Sequence, residues 1–258
     1  MTFLDEVLAV KRREVETLHG HSFAEASEAP KGFASALRAP GLAVIAEIKR
    51  RSPSKGLIAP DLDAAATAEA YAKGGAAAIS CLTDREFFGA QSDDFARVRA
   101  AGLPVLRKDF IIDELQIDEA RAMGASAILL IVRILEPSTL ERLLRRAASL
   151  GLDALVEVHS EKEVEVAVSA GASIIGVNNR DLATLVVDSS LALRLRARIP
   201  AGVLTVAESG VKTRDDVRQI EDAGFDAVLI GESLATHADP AAKLRALTGQ
   251  DHGVGARR

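Results

Sequence analysis

Glu47 and Lys49 stand two residues apart at the end of the apolar run Ala43-Val44-Ile45-Ala46-Glu47-Ile48. Side chains at i and i+2 of a strand share a face, so the run predicts a carboxylate and an ammonium side by side among aliphatic groups. Charged groups are rarely buried without a partner. The pair is therefore either a structural ion pair or the edge of a site that handles protons and anions. Similar apolar runs lead to further polar groups: Lys108 after Val105-Leu106-Arg107, Glu157 within Leu155-Val156-Glu157-Val158-His159, Asn178 after Ile175-Gly176-Val177, and Glu208 after Val206-Ala207. Any one of these alone reads as a rim residue or an ordinary strand pair. Two Lys, three Glu and an Asn at equivalent strand ends read as a site. Lysines and carboxylates held together suit general acid–base chemistry. A lysine crowded by another cation and partly desolvated is expected to have its pKa lowered towards working pH.

A second signal lies towards the C-terminus. Ser209-Gly210-Val211 and Ile230-Gly231-Glu232-Ser233 each put a glycine where backbone can approach a ligand closely, a pattern suited to phosphate on loop amides. Glu232 would repel a phosphate unless its side chain turns away and its N–H alone faces the ligand. The basic loop Arg50 to Lys55 is expected to attract an anionic substrate and to close over it. No His/Cys spacing suggests a metal, and His159 and Cys81 are expected to be structural.

The elements that must position these groups recur along the chain. From Ala43 onward a small-residue and Gly signal keeps introducing a short apolar run, as in Gly124-Ala125-Ser126-Ala127-Ile128 and Gly224-Phe225-Asp226-Ala227-Val228. The Gly suits a helix end, and the unbroken apolar run suits a parallel strand buried on both faces. Strands are expected near 43–48, 77–82, 104–107, 126–132, 153–158, 173–177, 203–207 and 226–230. Helical patterns fall between them, among them Asp61 to Lys73, Pro137 to Ser149 and Thr213 to Ala223. Eight such units predict an α/β fold of the (β/α)8 TIM barrel type over residues 43–248, with the site at the strands' C-terminal ends. A doubly wound sheet is the competitor, but no G-x-G-x-x-G follows the first strand.

Residues 1–42 are expected to form an N-terminal helical extension packed on the barrel. Its first segment, Phe3 to Leu18, has amphipathic spacing weakened by a polar gap at Lys11 to Glu14. Residues 249–258 are expected to form a frayed tail.

With 258 residues, 48% hydrophobic, the chain can bury a large core. A formal net charge of -5 leaves no nucleic-acid footprint. One cysteine, Cys81, precludes an intrachain disulfide and fits a reducing compartment. The acids near Met1 do not resemble a secretory n-region, and no apolar run is long enough to span a bilayer. A cytoplasmic protein without membrane partners is expected.

The motifs also resemble the indole-3-glycerol phosphate synthase family of tryptophan biosynthesis. The likeness runs through Ala46-Glu47-Ile48-Lys49-Arg50-Arg51-Ser52-Pro53-Ser54, Leu106-Arg107-Lys108-Asp109-Phe110, Leu155-Val156-Glu157-Val158-His159, Val177-Asn178-Asn179-Arg180, Ala207-Glu208-Ser209-Gly210 and Leu229-Ile230-Gly231-Glu232. The resemblance implies a carboxy-lyase that needs no cofactor. It would close 1-(2-carboxyphenylamino)-1-deoxyribulose 5-phosphate to indole-3-glycerol phosphate, losing carbon dioxide and water. It further implies that Lys108 is the general acid at the ketone and that Lys49 contacts the substrate carboxylate or acts in dehydration. Glu157 would be an acid/base group of the dehydration, and Glu47 and Asn178 would orient substrate and catalytic groups. Ser52, Phe110, Arg180, Glu208, Ser209, Gly210, Leu229, Gly231 and Glu232 would bind substrate or its phosphate. Which lysine acts at which step stays open.

A monomer or weak homo-oligomer is expected, associating if at all with other enzymes of that pathway. The alternatives are a phosphate-binding barrel without catalysis and another phosphate-handling barrel such as phosphoribosylanthranilate isomerase. The first should have lost one of Lys49, Lys108, Glu157 or Asn178; the second should carry a Cys on the first strand.

Overall fold

The computed structural model describes residues 2–23 and 29–250. Among them, eight parallel strands close into a barrel: β1 (Ala43–Ile48), β2 (Ala78–Leu82), β3 (Val105–Lys108), β4 (Ala127–Ile131), β5 (Asp153–Val158), β6 (Ile174–Asn178), β7 (Leu204–Glu208) and β8 (Ala227–Ile230). Each pairs with its neighbours in sequence, and β1 also pairs with β8. Every strand begins and ends within one residue of its sequence-based expectation. The fold is the expected TIM barrel with a helical N-terminus.

Helices alternate with the strands: α1 (Phe3–Leu18), α2 (Phe33–Leu37), α3 (Ala64–Lys73), α4 (Arg85–Phe88), α5 (Asp94–Arg99), α6 (Glu114–Ala122), α7 (Pro137–Ser149), α8 (Glu161–Ser169), α9 (Leu191–Arg196), α10 (Arg214–Asp222), α11 (Glu232–Ala235) and α12 (Pro240–Thr248). Local signals set their ends. Asp63, Ser160 and Thr213 accept hydrogen bonds as N-caps, and Pro137 begins α7, where its missing N–H costs nothing. No helix of the described residues is long and apolar enough to cross a membrane.

Period-2 geometry divides the core in two. Val44, Ala46 and Ile48 of β1 pack outward with the helices, whereas Ala43 and Ile45 pack inside the barrel with Leu106, Leu155, Ile174 and Leu204. Glu47, Lys108, Glu157 and Glu208 continue the inward series of β1, β3, β5 and β7 at the strands' C-terminal ends. Alternate strands of such a barrel contribute the four side chains of one layer. Here that layer is polar.

The extension engages both ends of the barrel. At the N-terminal end of the strands, the Asp153 carboxylate accepts from Ala34 N–H (2.8 Å) and Lys31 Nζ donates to Gly102 O (2.6 Å). This seats α2, whose Phe33 and Leu37 are buried with the barrel's interior residues. Helix α1 starts with a capping box between Thr2 and Asp5 and buries Val7, Val10 and Val15. The polar gap expected to weaken it is no gap. Lys11 is itself buried, because Asp84 and Asp109 of the barrel, with Glu14 of its own helix, meet its ammonium at 2.7–2.8 Å. The tail was expected over residues 249–258, and 251–258 lie outside the described residues.

Candidate active site

At the C-terminal ends of the strands lies a cavity of about 440 Å³. It is bordered by Glu47, Lys49, Ser52, Lys108, Phe110, Glu157, Asn178, Arg180, Glu208, Ser209, Gly210, Leu229, Gly231 and Glu232. These are all the site residues expected from sequence. They come from loops and strands as far apart in sequence as β1 and β8, and barrel closure brings them together.

The polar layer forms the floor. Lys108 Nζ lies 3.4 Å from Glu157 Oε2 and 3.6 Å from Glu208 Oε2. Lys49 pairs with Glu47, as their shared strand face requires. The expectation of a lowered lysine pKa is overturned at Lys108. Burial alone would lower it, but Glu157, Glu208 and Glu47 outweigh burial and hold it above its ordinary value. Its neighbours are carboxylates, not a second cation.

The carboxylates differ among themselves. Burial works against the charge on each. At Glu47 the ammonium groups of Lys49 and Lys108 win and hold the carboxyl below its usual range. At Glu157, Lys108, His159 and the Asn178 amide do the same. At Glu208, burial and the adjacent Glu157 charge prevail over Lys108, and its pKa is pushed up to about 8. At neutral pH Lys108 is thus an ammonium, Glu47 and Glu157 are carboxylates and Glu208 is a carboxylic acid. Oε1 of Glu157 faces His159 Nε2 at 3.4 Å, and Oε1 of Glu208 is buried without a hydrogen-bond partner.

The walls have different chemistry. Phe3, Phe88, Phe110, Leu129, Ile131 and Leu182 make one side apolar. On another side, Ser209 has φ 66° and Gly210 φ 89°. A left-handed serine is uncommon and marks a loop held in a special shape, as functional loops are. Beside it, Gly231 precedes the one-turn helix α11, whose first N–H groups have no carbonyl within the helix. The Glu232 side chain is turned to Lys55 (2.5 Å), leaving its backbone to the cavity. Lys55 outweighs partial burial and keeps that carboxyl below its usual range.

The loop after β1 folds over the mouth as a small antiparallel hairpin, Arg51–Ser52 with Gly56–Leu57. Lys55–Glu232 and the donation from Arg180 to Ser54 Oγ (3.1 Å) tie it down. Arg50 departs from the expected basic face. Its guanidinium is buried, paired with Asp94 and donating to Leu62 O (2.7 Å), so it anchors the loop's base. His159 lies behind the floor, 3.4 Å from Glu157 and 3.3 Å from Glu163. Cys81 is buried on the outer face of β2, its thiol pKa pushed up by burial.

The apolar wall was largely missed from sequence. Phe3 reaches the cavity from α1, and its spacing to Val7 on that helix was the available signal. The edge-to-face contact of Phe3 with Phe87, centroids 5.4 Å apart, fixes it there.

Comparison with known proteins bears on this geometry. The family model described as Indole-3-glycerol phosphate synthase matches residues 4–247. A relative named Indole-3-glycerol phosphate synthase 2, from Streptomyces coelicolor, is 53% identical over 227 residues, covering 88% of each chain. One named Indole-3-glycerol phosphate synthase, from Chlorobium phaeovibrioides, is 50% identical over 249 residues, covering 93% of this chain and 96% of the relative. Among solved structures, thiamine phosphate pyrophosphorylase from Pyrococcus furiosus superposes with a TM-score of 0.60 at 17% identity, covering 84% of this chain and all of the other. A tryptophan synthase chain from M. tuberculosis gives 0.62 at 20%, covering 86% and 97%. These two share the fold.

Proposed function

The chain belongs to the indole-3-glycerol phosphate synthase family, and from that premise we propose how its cavity carries out the reaction. The enzyme is a carboxy-lyase of tryptophan biosynthesis. It converts 1-(2-carboxyphenylamino)-1-deoxyribulose 5-phosphate to indole-3-glycerol phosphate, carbon dioxide and water. The substrate has an aromatic ring with a carboxylate, a ketone, hydroxyls and a phosphate. The walls match these parts: the apolar side takes the ring, and the backbone at Ser209–Gly210 and Gly231–Ser233 takes the phosphate. Lys49 and Arg180 face the carboxylate, and Asn178 and Glu47 orient the hydroxyls.

Ring closure joins the ring carbon bearing the carboxylate to the ketone carbon, and the ketone oxygen must gain a proton. Lys108 supplies it. Its raised pKa keeps the ammonium loaded at working pH, and its charge stabilises the developing oxyanion before transfer completes. The neutral Glu208 acid, 3.6 Å away, can restore the proton. Carbon dioxide then leaves, restoring the aromatic ring. In dehydration the new hydroxyl departs with a proton from an ammonium group, while the Glu157 carboxylate takes a proton from the adjacent ring carbon. The observation that carries this reading is Lys108 held between Glu157 and Glu208 on the floor of a cavity with one apolar wall and one phosphate-suited wall.

The test is indole fluorescence with this substrate and purified protein. Lys108→Ala is expected to fold and to lose about 10²–10⁴-fold in kcat, the range for a general acid; undiminished turnover would refute its role. The reading also includes a cytoplasmic setting and a chain that acts as a monomer or weak homo-oligomer. The unpaired Cys81 thiol supports a reducing compartment.

A further inference from the structure

The Lys11 ammonium lies 2.8 Å from Asp109 Oδ1, 2.7 Å from Asp84 Oδ2 and 2.8 Å from Glu14 Oε2, with the lysine side chain 1% exposed. Asp109 directly follows Lys108. Its Oδ1 also accepts from Phe110 N–H (2.8 Å), and its Oδ2 accepts from Thr83 Oγ1 (2.5 Å) and Arg107 Nη2 (3.4 Å). Thr83 N–H in turn donates to Lys108 O (3.2 Å). The peptide that carries the Lys108 side chain is therefore held on both sides, and Lys11 of α1 supplies the cation that completes the knot.

A buried ion-pair cluster is a weak source of net stability, because desolvating the charges offsets much of their attraction. Leucine or methionine on α1 could cover the same barrel surface. What a charged cluster supplies is one arrangement, since its bonds are satisfied in a single geometry. That property is useful next to a lysine whose ammonium must meet two carboxylates and a ketone.

We propose that Lys11 is a positioning residue for the reaction: from the N-terminal helix it clamps Asp109 and so fixes Lys108 over the floor of the site. The helix thus takes part in turnover through this contact, in addition to covering the barrel. The inference rests on Lys108 acting as the proton donor.

Steady-state kinetics on the full chain, with folding checked by circular dichroism, test it. Lys11→Met and Asp109→Asn are each expected to lower kcat about 10- to 100-fold, as a small misplacement of a reacting group does. KM should change less than kcat. The double variant should lose no more kcat than the worse single one, because both break the same clamp. Lys11→Met with the parent's kcat, or losses that multiply in the double variant, would overturn the proposal. If Lys11→Met does not fold, Asp84→Asn decides. It removes a Lys11 partner that makes no bond to Lys108 itself and should lower the melting temperature while lowering kcat clearly less than Asp109→Asn does. Equal kcat losses in Asp84→Asn and Asp109→Asn would overturn the clamp. Lys108→Ala keeps the two failures apart. Turnover in that variant defeats the acid role itself, whereas an inactive Lys108→Ala beside a fully active Lys11→Met defeats the clamp alone.

Discussion

Glu157 and Glu208 are chemically identical residues on alternate strands, β5 and β7, with opposite protonation. The difference lies in what each one faces. Glu157 has Lys108, His159 and Asn178 about it, whereas Glu208 has Lys108 but also the charge of Glu157. Two adjacent carboxyls in one dry site do not both ionise easily. The sign of the consequence follows from proton linkage. A carboxyl raised from 4.5 unfolded to about 8 folded holds a proton in the native state that the unfolded chain has released. Its contribution to stability is therefore full below pH 4.5 and is lost as pH rises through about 8. Glu208→Gln removes this dependence. Its melting temperature relative to the parent should rise between pH 5 and 8 and then level off, as thermal unfolding across that range would show. If the neutral acid also feeds Lys108, the parent's kcat should fall above pH 8, and the Gln variant should be slower but lack that limb. Parallel stability curves for the two proteins would refute the proton on Glu208.

The strands do more than hold these groups at the right height. On β6, between the strands of Glu157 and Glu208, stands Gly176, and a Cβ built there would overlap Glu208 Oε1. After β8, a Cβ on Gly231 would likewise reach Glu47. Glycine at these positions leaves room for carboxylates inside a barrel otherwise filled by aliphatic side chains. Gly176 needs no special backbone angle, so alanine is compatible with the strand. Gly176→Ala is thus expected to fold with a near-parent unfolding midpoint, since the atom it displaces is the end of a movable side chain. Its kcat should fall about 10-fold or more because Glu208 is pushed from Lys108. Measuring both quantities on one preparation separates the outcomes. A large stability loss with unchanged kcat per folded molecule would show that Gly176 serves packing alone.

Over the whole molecule, stability and chemistry sit at opposite ends. The C-terminal ends of the strands carry buried charges and a left-handed serine, both of which cost stability. The N-terminal ends are closed by α2, where Phe33 is fully buried and Leu37 nearly so. Truncating a buried aromatic removes its transfer energy and leaves a cavity. Phe33→Ala should therefore lower unfolding free energy by about 3–5 kcal/mol in denaturant titration. Its kcat per folded molecule should stay close to the parent's, because α2 touches the end remote from the cavity. Lys11→Met on α1 should show the opposite balance. The two helices of the extension are neighbours in sequence with separable tasks.

Much of this was determined by the sequence. Unbroken apolar runs between helical patterns fixed eight parallel strands to within a residue, since a strand buried on both faces has no other way to read. Period 2 then put Glu47, Lys108, Glu157 and Glu208 on inward faces, and the barrel rule put them at one end. Spacing along the chain carries no information about which charge meets which, however, and there the reading failed. Lys108 looked like a lysine crowded by Lys49, but closure surrounds it with carboxylates and raises its pKa. Arg50 looked like part of a basic face, but Asp94 lies within reach and buries it. Lys11 looked like a flaw in an amphipathic helix until Asp84 and Asp109, more than seventy residues away, supplied its partners. Burial and Coulomb interaction depend on distances through space. The sequence determined the inventory and height of the reactive groups, and the tertiary structure decided their charges.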